Sequence, residues 1–485
     1  MTFNALTPAA APPRLAPAPP TPPAPPASPR RPAALPAPAQ YAPGPSPAPR
    51  PDYRSFTGGN SVRYPAPDVA RGFMLLLIAL ANAPFWMILL RTRAEVTGAD
   101  AVWMGLRAAL VDHRSYPLFA MLFGFGLAIM ARRRIEADLR SAGAHVDPAD
   151  VDPTAARTAD PATATANRAT GAARTAAANR GAARARRLIR RRGMWMLVFA
   201  AVHGALFMGD IIGAYALIAV ALAGVIAGRE RRSQAVIGGL CAAVCLGYML
   251  YIGWFISTGG VTVGTAGAAG GIAGDIMEML RGPLYPAVSL VLWAGDTMVT
   301  ILTSLALPAA LLGVRLADTD LLTRPDRHRR ALLVGGAAAL VVGAAGVLPR
   351  ILPSLGVGVP AGVTVVASAL DVATGMVGAC GWLALLAAWA GPGGGPLRGA
   401  RWLLAAVGRR SMSVYIGQSI LFALVFGALA RCGAPPPHQT TAALIGVAVW
   451  ATLALACAWM ERGGRTRGPL EILLRRAVAA SARRR

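Results

Sequence analysis

The side chains best placed to do chemistry are His203 and Asp210, an imidazole and a carboxylate inside one long apolar stretch, residues 193–228. An imidazole titrates near neutral pH and can take a proton from a hydroxyl, while a neighbouring carboxylate orients the ring and stabilises its charged form. The stretch is roughly twice as long as one bilayer crossing needs, so it must break, and Gly209-Asp210 is the natural break. Asp210 then caps the helix that follows it. Asp68 stands three residues before Arg71, a spacing that lets the two pair on one helix face. Asp296 and Asp371 lie within apolar runs, where a carboxylate costs about 2.5–3.5 kcal/mol and marks a functional site by default. Asn82, Tyr215, Tyr415, Gln418 and Ser419 add neutral polar groups on other helices. Together these residues predict an internal polar cavity, with Asp68, Asn82, Tyr215, Asp296, Asp371, Tyr415, Gln418 and Ser419 lining it.

The elements that hold these residues are set by composition. The 485 residues are 55% hydrophobic and 14% charged, with a mean hydropathy of +0.49. A soluble enzyme would carry about 25% charged residues. Ten apolar stretches follow one another, at 69–90, 115–131, 193–208, 210–228, 235–257, 287–314, 331–348, 362–390, 403–430 and 441–460. They predict an all-α integral membrane protein of about ten transmembrane helices. The second stretch is short and takes in Trp103–Leu110; the membrane part of the ninth starts near Ser411, beyond Arg409 and Arg410.

All 48 basic residues are arginine, and the net charge is +26. Counted with the N-terminus inside, the inner connections hold 34 arginines and the four outer ones hold seven. That asymmetry places both termini in the cytoplasm and excludes a nucleic-acid surface, because the charge sits where anionic lipid headgroups are. The chain divides into an Ala/Pro-rich, disordered cytoplasmic tail (1–62), two spans (63–131), a basic low-complexity cytoplasmic loop (132–187), eight spans (188–460) and a basic tail (461–485). The end of the basic loop, up to Arg192, reads as an amphipathic helix on anionic headgroups. No apolar segment with a cleavage site precedes Ala70, so no signal peptide is expected. The five cysteines form no CxxC pair or Cys/His cluster, which predicts packed free thiols and no metal site.

An ordered set of motifs carries a family resemblance. It comprises Asp68-x-x-Arg71-Gly72 with Asn82, Leu122-Phe-Gly-Phe-Gly126, and His203-Gly204 followed by Gly209-Asp210-Ile-x-x-x-Tyr215-Ala. Gly408-Arg409-x-Ser411-x-x-x-Tyr415-x-x-Gln418-Ser419 and Gly468-Pro469-Leu470-Glu471 complete it. Over residues 63–478 the chain resembles the YeiB-like bacterial inner-membrane proteins, a family of unknown function. It departs from them in having Ile472, Leu473 and Leu474, where tryptophans usually follow the glutamate, and in an insertion at 135–185. The resemblance implies a multi-pass protein of the bacterial cytoplasmic membrane. More distantly it implies kinship with membrane acyltransferases that draw on cytoplasmic acyl-CoA, whose catalytic histidine lies near the first outer loop. His113 is the nearest residue here, in surroundings that do not match that motif, and reads as a solvated loop histidine.

Three functional readings follow. In an acyltransferase, His203 (or His113) is the general base, Asp210 its partner, and Arg71 and Arg409 hold the phosphates of acyl-CoA. In a secondary transporter of a small or cationic solute, Asp210, Asp296 and Asp371 line the path. In a structural envelope protein, the polar core only fixes helix partners.

Overall fold

Lipid offers the backbone no hydrogen-bond partner, so an apolar chain must satisfy its own amides and carbonyls in helices or closed barrels. Every regular element among the described residues is helical. The computed structural model describes residues 64–90, 94–142, 161–228, 230–258, 272–393 and 396–483. The expectations for the tail 1–62 and for the middle of the basic segment, 143–160, lie outside them.

The helices run in order α1 Pro65–Asn82, α2 Gly98–Leu110, α3 Ser115–Ser141, α4 Pro161–Gly204, α5 Ile212–Gly228, α6 Arg231–Ser257, α7 Ile272–Met279 and α8 Tyr285–Thr303. They continue with α9 Ala306–Leu316, α10 Arg329–Gly346, α11 Leu348–Ile351, α12 Ala361–Ala390, α13 Gly399–Gly408, α14 Ser411–Arg431, α15 Gln439–Arg462 and α16 Pro469–Arg483. Eight helical runs are long and apolar enough to cross a membrane, and α2 with α3 makes up one of them. Of the ten predicted stretches, the two left over are the arms of the α4–α5 hairpin. The apolar arm of α4, from Gly193 to Gly204, is only about 18 Å long at ~1.5 Å per residue.

Two predicted boundaries change and a third is met. Residues 132–187 are not a loop where the structure describes them: α3 runs on to Ser141, and α4 is one helix of 44 residues from Pro161. Alanine and arginine are strong helix formers, so a composition that reads as low-complexity still propagates a helix. The stretch 287–314 divides into α8 and α9 at Ser304, whose backbone is extended. The stretch 403–430 divides at Arg409-Arg410, and α14 starts at Ser411 as expected.

Small residues bring the helix axes together. A Cβ on Gly72 would collide with the Leu404 carbonyl, and one on Gly408 with the Asp68 carbonyl, which locks α1 to α13. Gly124 and Gly313 do the same for α3 and α9, each against a carbonyl of the other helix. Without hydrophobic drive between helices in lipid, such close approach is what holds a bundle. Large apolar side chains such as Val291, Val334, Leu424, Leu455 and Trp459 point outward instead. That inverted pattern marks a surface solvated by lipid.

The connections sort to two ends. At one, Arg132 and Arg231 pair with Asp318, Arg184 with Asp138, and Arg410 with Glu461. At the other, Thr97 caps α2 by accepting the Asp100 N–H, and the Asp100 carboxylate accepts the Thr97 N–H in return and the Thr440 N–H at the start of α15, with His438 at 3.2 Å.

Candidate functional site

The α4–α5 turn packs into the bundle through three buried side chains, with most residues between them half-buried. His203, Phe207 and Asp210 are each 2% exposed. Breaking a helix there strands carbonyls at its end, and α8 supplies donors for them. The Ser289 hydroxyl donates to Gly204 O at 2.7 Å and the Tyr285 hydroxyl to Leu206 O at 2.6 Å. One turn further along α8, Trp293 Nε1–H donates to Asp210 Oδ2 at 3.2 Å. The indole reaches that oxygen by lying over two glycines: a Cβ would fall 2.5 Å from it on Gly204 and 2.8 Å on Gly213. The His203-Gly204 and Gly209-Asp210-x-x-Gly213 spacings are thereby explained.

Asp210 also caps α5, accepting the Gly213 N–H on Oδ2 at 2.9 Å. Its other oxygen lies 2.7 Å from His203 Nδ1. With Nδ1 held by the carboxylate, Nε2 is the free face of the ring; it is buried and has no hydrogen-bond partner among the described residues. Tyr415 meets the His203 ring edge-on at 5.1 Å, and its hydroxyl accepts the Ile211 N–H at 3.3 Å. A histidine with one nitrogen fixed by a buried carboxylate and the other left unpartnered has the geometry of a general base.

Tyr415 and Ile212 also line a cavity of about 650 Å³ at the arginine-rich end, within the range of small-molecule sites. Its mouth carries Arg71, Arg133, Arg134, Arg192, Arg409, Arg467 and Arg475 against two carboxylates, Asp68 and Glu471. Its inner wall is apolar, with Phe119, Phe123, Met196 and Ile212. Arg71 is aimed by Asp68 at 3.4 Å and by the Leu122 carbonyl at 2.9 Å. Gly126 leaves the room for it, since a Cβ there would be 3.2 Å from Arg71 Nη2. Arg409 pairs with Glu461 at 2.5 Å. Burial and the nearby guanidiniums of Arg475 and Arg71 push Arg192 down to about 10, against the pull of Glu471; it remains a cation at neutral pH. Glu471 anchors the first turn of α14, accepting the Met412 N–H at 2.8 Å and the Ser413 hydroxyl at 2.6 Å. That anchor places Tyr415 one turn further in.

The other predicted residues divide. Asp68, Arg71, Arg409 and Tyr415 line the cavity, while His203 and Asp210 sit beyond Tyr415. Tyr215 is buried one turn along α5 from the cap and donates to Tyr116 O at 2.9 Å. Gln418 ties α14 to α1 by donating to Leu75 O at 2.9 Å, with Ser419 buried beside it. Asn82 ends α1, away from the cavity wall. Asp371 is clamped between Arg114 at 3.2 Å and Arg350 at 2.7 Å, with His113 at 3.6 Å. Asp296 points away from the bundle; its partner is Thr300 on its own helix, at 3.4 Å. The single cavity lined by all of these residues is therefore not what the structure holds. Sequence reasoning missed Tyr285, Ser289 and Trp293, whose signal was an i, i+4, i+8 stripe of polar-tipped residues on an apolar helix. No group of three potential metal ligands occurs among the described residues.

The fold and the buried hairpin define a polytopic, all-helical membrane protein. Residues 316–481 are similar to a family model described as "Protein of unknown function (DUF418)", a match consistent with the YeiB-like motifs. No curated protein and no solved structure matches the chain.

Proposed function

We propose that the protein transfers an acyl group from a cytoplasmic acyl-CoA to a hydroxyl of an extracytoplasmic or lipid-linked acceptor, in the bacterial cytoplasmic membrane with both termini inside. The observation that carries the reading is the buried His203–Asp210 pair, its Nε2 without a hydrogen-bond partner among the described residues, behind Tyr415 of a cavity with a cationic mouth and an apolar inner wall. A phosphate-rich head with a thin apolar arm has that shape and charge. Arg71, Arg192 and Arg409 would bind the phosphates, and the wall between Phe119 and Ile212 would exclude water from the arm. Acyl-CoA supplies an activated thioester carbonyl. His203 Nε2 takes the acceptor's hydroxyl proton as the new ester C–O bond forms, and returns it to the sulfur as the C–S bond breaks. Asp210 holds the Nδ1–H tautomer and offsets the imidazolium charge. The basic face of α4 supports contact with anionic headgroups.

Acetyl-CoA at 100 times its dissociation constant should stabilise the protein in nanodiscs by about 2.7 kcal/mol. Arg71→Ala should lose that shift. His203→Gln should keep it and lose transfer of labelled acetyl to the lipid fraction. No shift in the wild type sinks the donor assignment.

The carrier reading is favoured by one observation, the two helices interrupted inside the bundle at 111–114 and 205–211. Its cationic form fares worse, because Asp371 and Asp210 are already matched by cations or hydrogen-bond donors. Proton-coupled uptake into proteoliposomes, abolished in Asp210→Asn, would support it over acyl transfer.

A further inference from the structure

A second polar cluster surrounds the break between α2 and α3. The two helices form one membrane-length run from Gly98 to Ser141, interrupted at Val111–Arg114. The break is packed against α12: Trp382 donates to Leu110 O at 2.9 Å, and a Cβ on Gly375 would fall 2.7 Å from His113 O. Arg114, fully buried, closes it. Nη1 donates to Ala108 O at 2.7 Å and Asp112 O at 2.5 Å, and Nη2 to Gly343 O at 2.5 Å. Nη1 also reaches Asp371 Oδ1, while Arg350 Nε donates to Asp371 Oδ2. His113, at 3.6 Å from Oδ2, is the non-glycine residue of positive φ among the described residues.

The charges do not balance. Two guanidiniums face one carboxylate, and the nearby Asp112 is engaged by Arg107 at 3.1 Å. Two buried nitrogens, Arg114 Nε and His113 Nδ1, have no hydrogen-bond partner among the described residues. The side chains of His113 and Arg350 are the ones that open outward, at 37% and 39% exposure. The single surplus positive charge falls on the outward side of the cluster, at Arg350, where a single negative charge would match it. A planar guanidinium with an imidazole beside it matches a planar carboxylate better than a tetrahedral dianion.

We propose that this cluster is a binding site for a carboxylate monoanion, seated on Arg350 and His113 and separate from the arginine-lined cavity. Asp371 and Arg114 hold the two recognition groups in place. The site stands independently of the acyl-transfer reading.

Butyrate, inorganic phosphate and choline serve as probes, read by thermal unfolding of the full chain in nanodiscs. Butyrate should raise the melting temperature saturably in the wild type and equally in Arg71→Gln, whose lesion lies in the other cavity. The shift should vanish in Arg350→Gln and shrink in His113→Gln, which serves alone if the first variant does not fold. No saturable shift in the wild type overturns the proposal, as does an undiminished shift in both variants. A phosphate shift as large as that of butyrate overturns the carboxylate class, and a choline shift overturns the charge argument.

Discussion

Asp210 receives the Gly213 N–H and the Trp293 N–H on one oxygen and faces His203 Nδ1 with the other. Two substitutions therefore separate folding from chemistry. In Asp210→Asn the amide oxygen can still accept from Gly213 and Trp293, while the NH₂ donates to Nδ1 and forces the proton onto Nε2. Stability should change by no more than about 1 kcal/mol, yet transfer should fall by roughly 10³–10⁴, as expected when a base is held in the wrong tautomer. Asp210→Ala leaves three buried groups without their acceptor and should cost about 3–5 kcal/mol. Denaturant unfolding beside a transfer assay checks both; equal activity in Asp210→Asn would remove His203 as the base. The cavity has its own residue-scale test. Arg192 sits at about 10, so it is a cation below that pH and loses its charge as pH rises through it. Acyl-CoA affinity should be level between about pH 6 and 9 and then fall, and Arg192→Gln should remove the fall due to this group. A titration series at fixed ionic strength reads it.

At the scale of elements, glycines fall into two classes that look alike in the sequence. Gly124 of α3 is covered by the Ala310 carbonyl of α9, whereas Gly247 of α6 has nothing within 4 Å of where a Cβ would be. Gly124→Ala should push two helices apart and destabilise by about 1–3 kcal/mol; Gly247→Ala should be neutral or stabilise by up to about 1 kcal/mol. A thermal-melt comparison of the two variants decides it, and equal effects would contradict the packing of α3 on α9. The same blindness explains what the sequence could and could not disclose. Spans were legible because twenty apolar residues have one structural outcome in lipid. The hairpin was legible because 193–228 is too long for one crossing and carries an acid at its break. Asp296 and Asp371 were not, since both are lone acids in apolar runs. One points outward from α8, and the other is held by Arg114, 257 residues away in the chain. The α8 stripe stayed hidden for the same reason: Ser289 reads as a neutral residue until Gly204 is seen to need its hydroxyl.

At the scale of the described helical bundle, arginines gather around one cavity. Arginines of α1, α3, α4 and α16, and Arg409 between α13 and α14, converge on the cavity mouth, so donor binding and the positive-inside signal draw on the same residues. If that end faces the cytoplasm, an acyl-CoA pool reaches the cavity directly, and the Asp371 cluster lies toward the other side. A native residue reports the orientation. Cys432, at the C-terminal end of α14, is the exposed cysteine; Cys245 and Cys457 are buried and Cys241 and Cys380 are half-buried. α14 starts beside Glu471 at the arginine-rich end, so Cys432 marks the opposite one. A membrane-impermeant maleimide should therefore label right-side-out vesicles at this single position and leave intact inside-out vesicles unlabelled until detergent is added. Cys432→Ser should abolish the signal in the first case. The reverse pattern would put the arginine-lined cavity outside, where no acyl-CoA is found, and the transfer reading would fall with it.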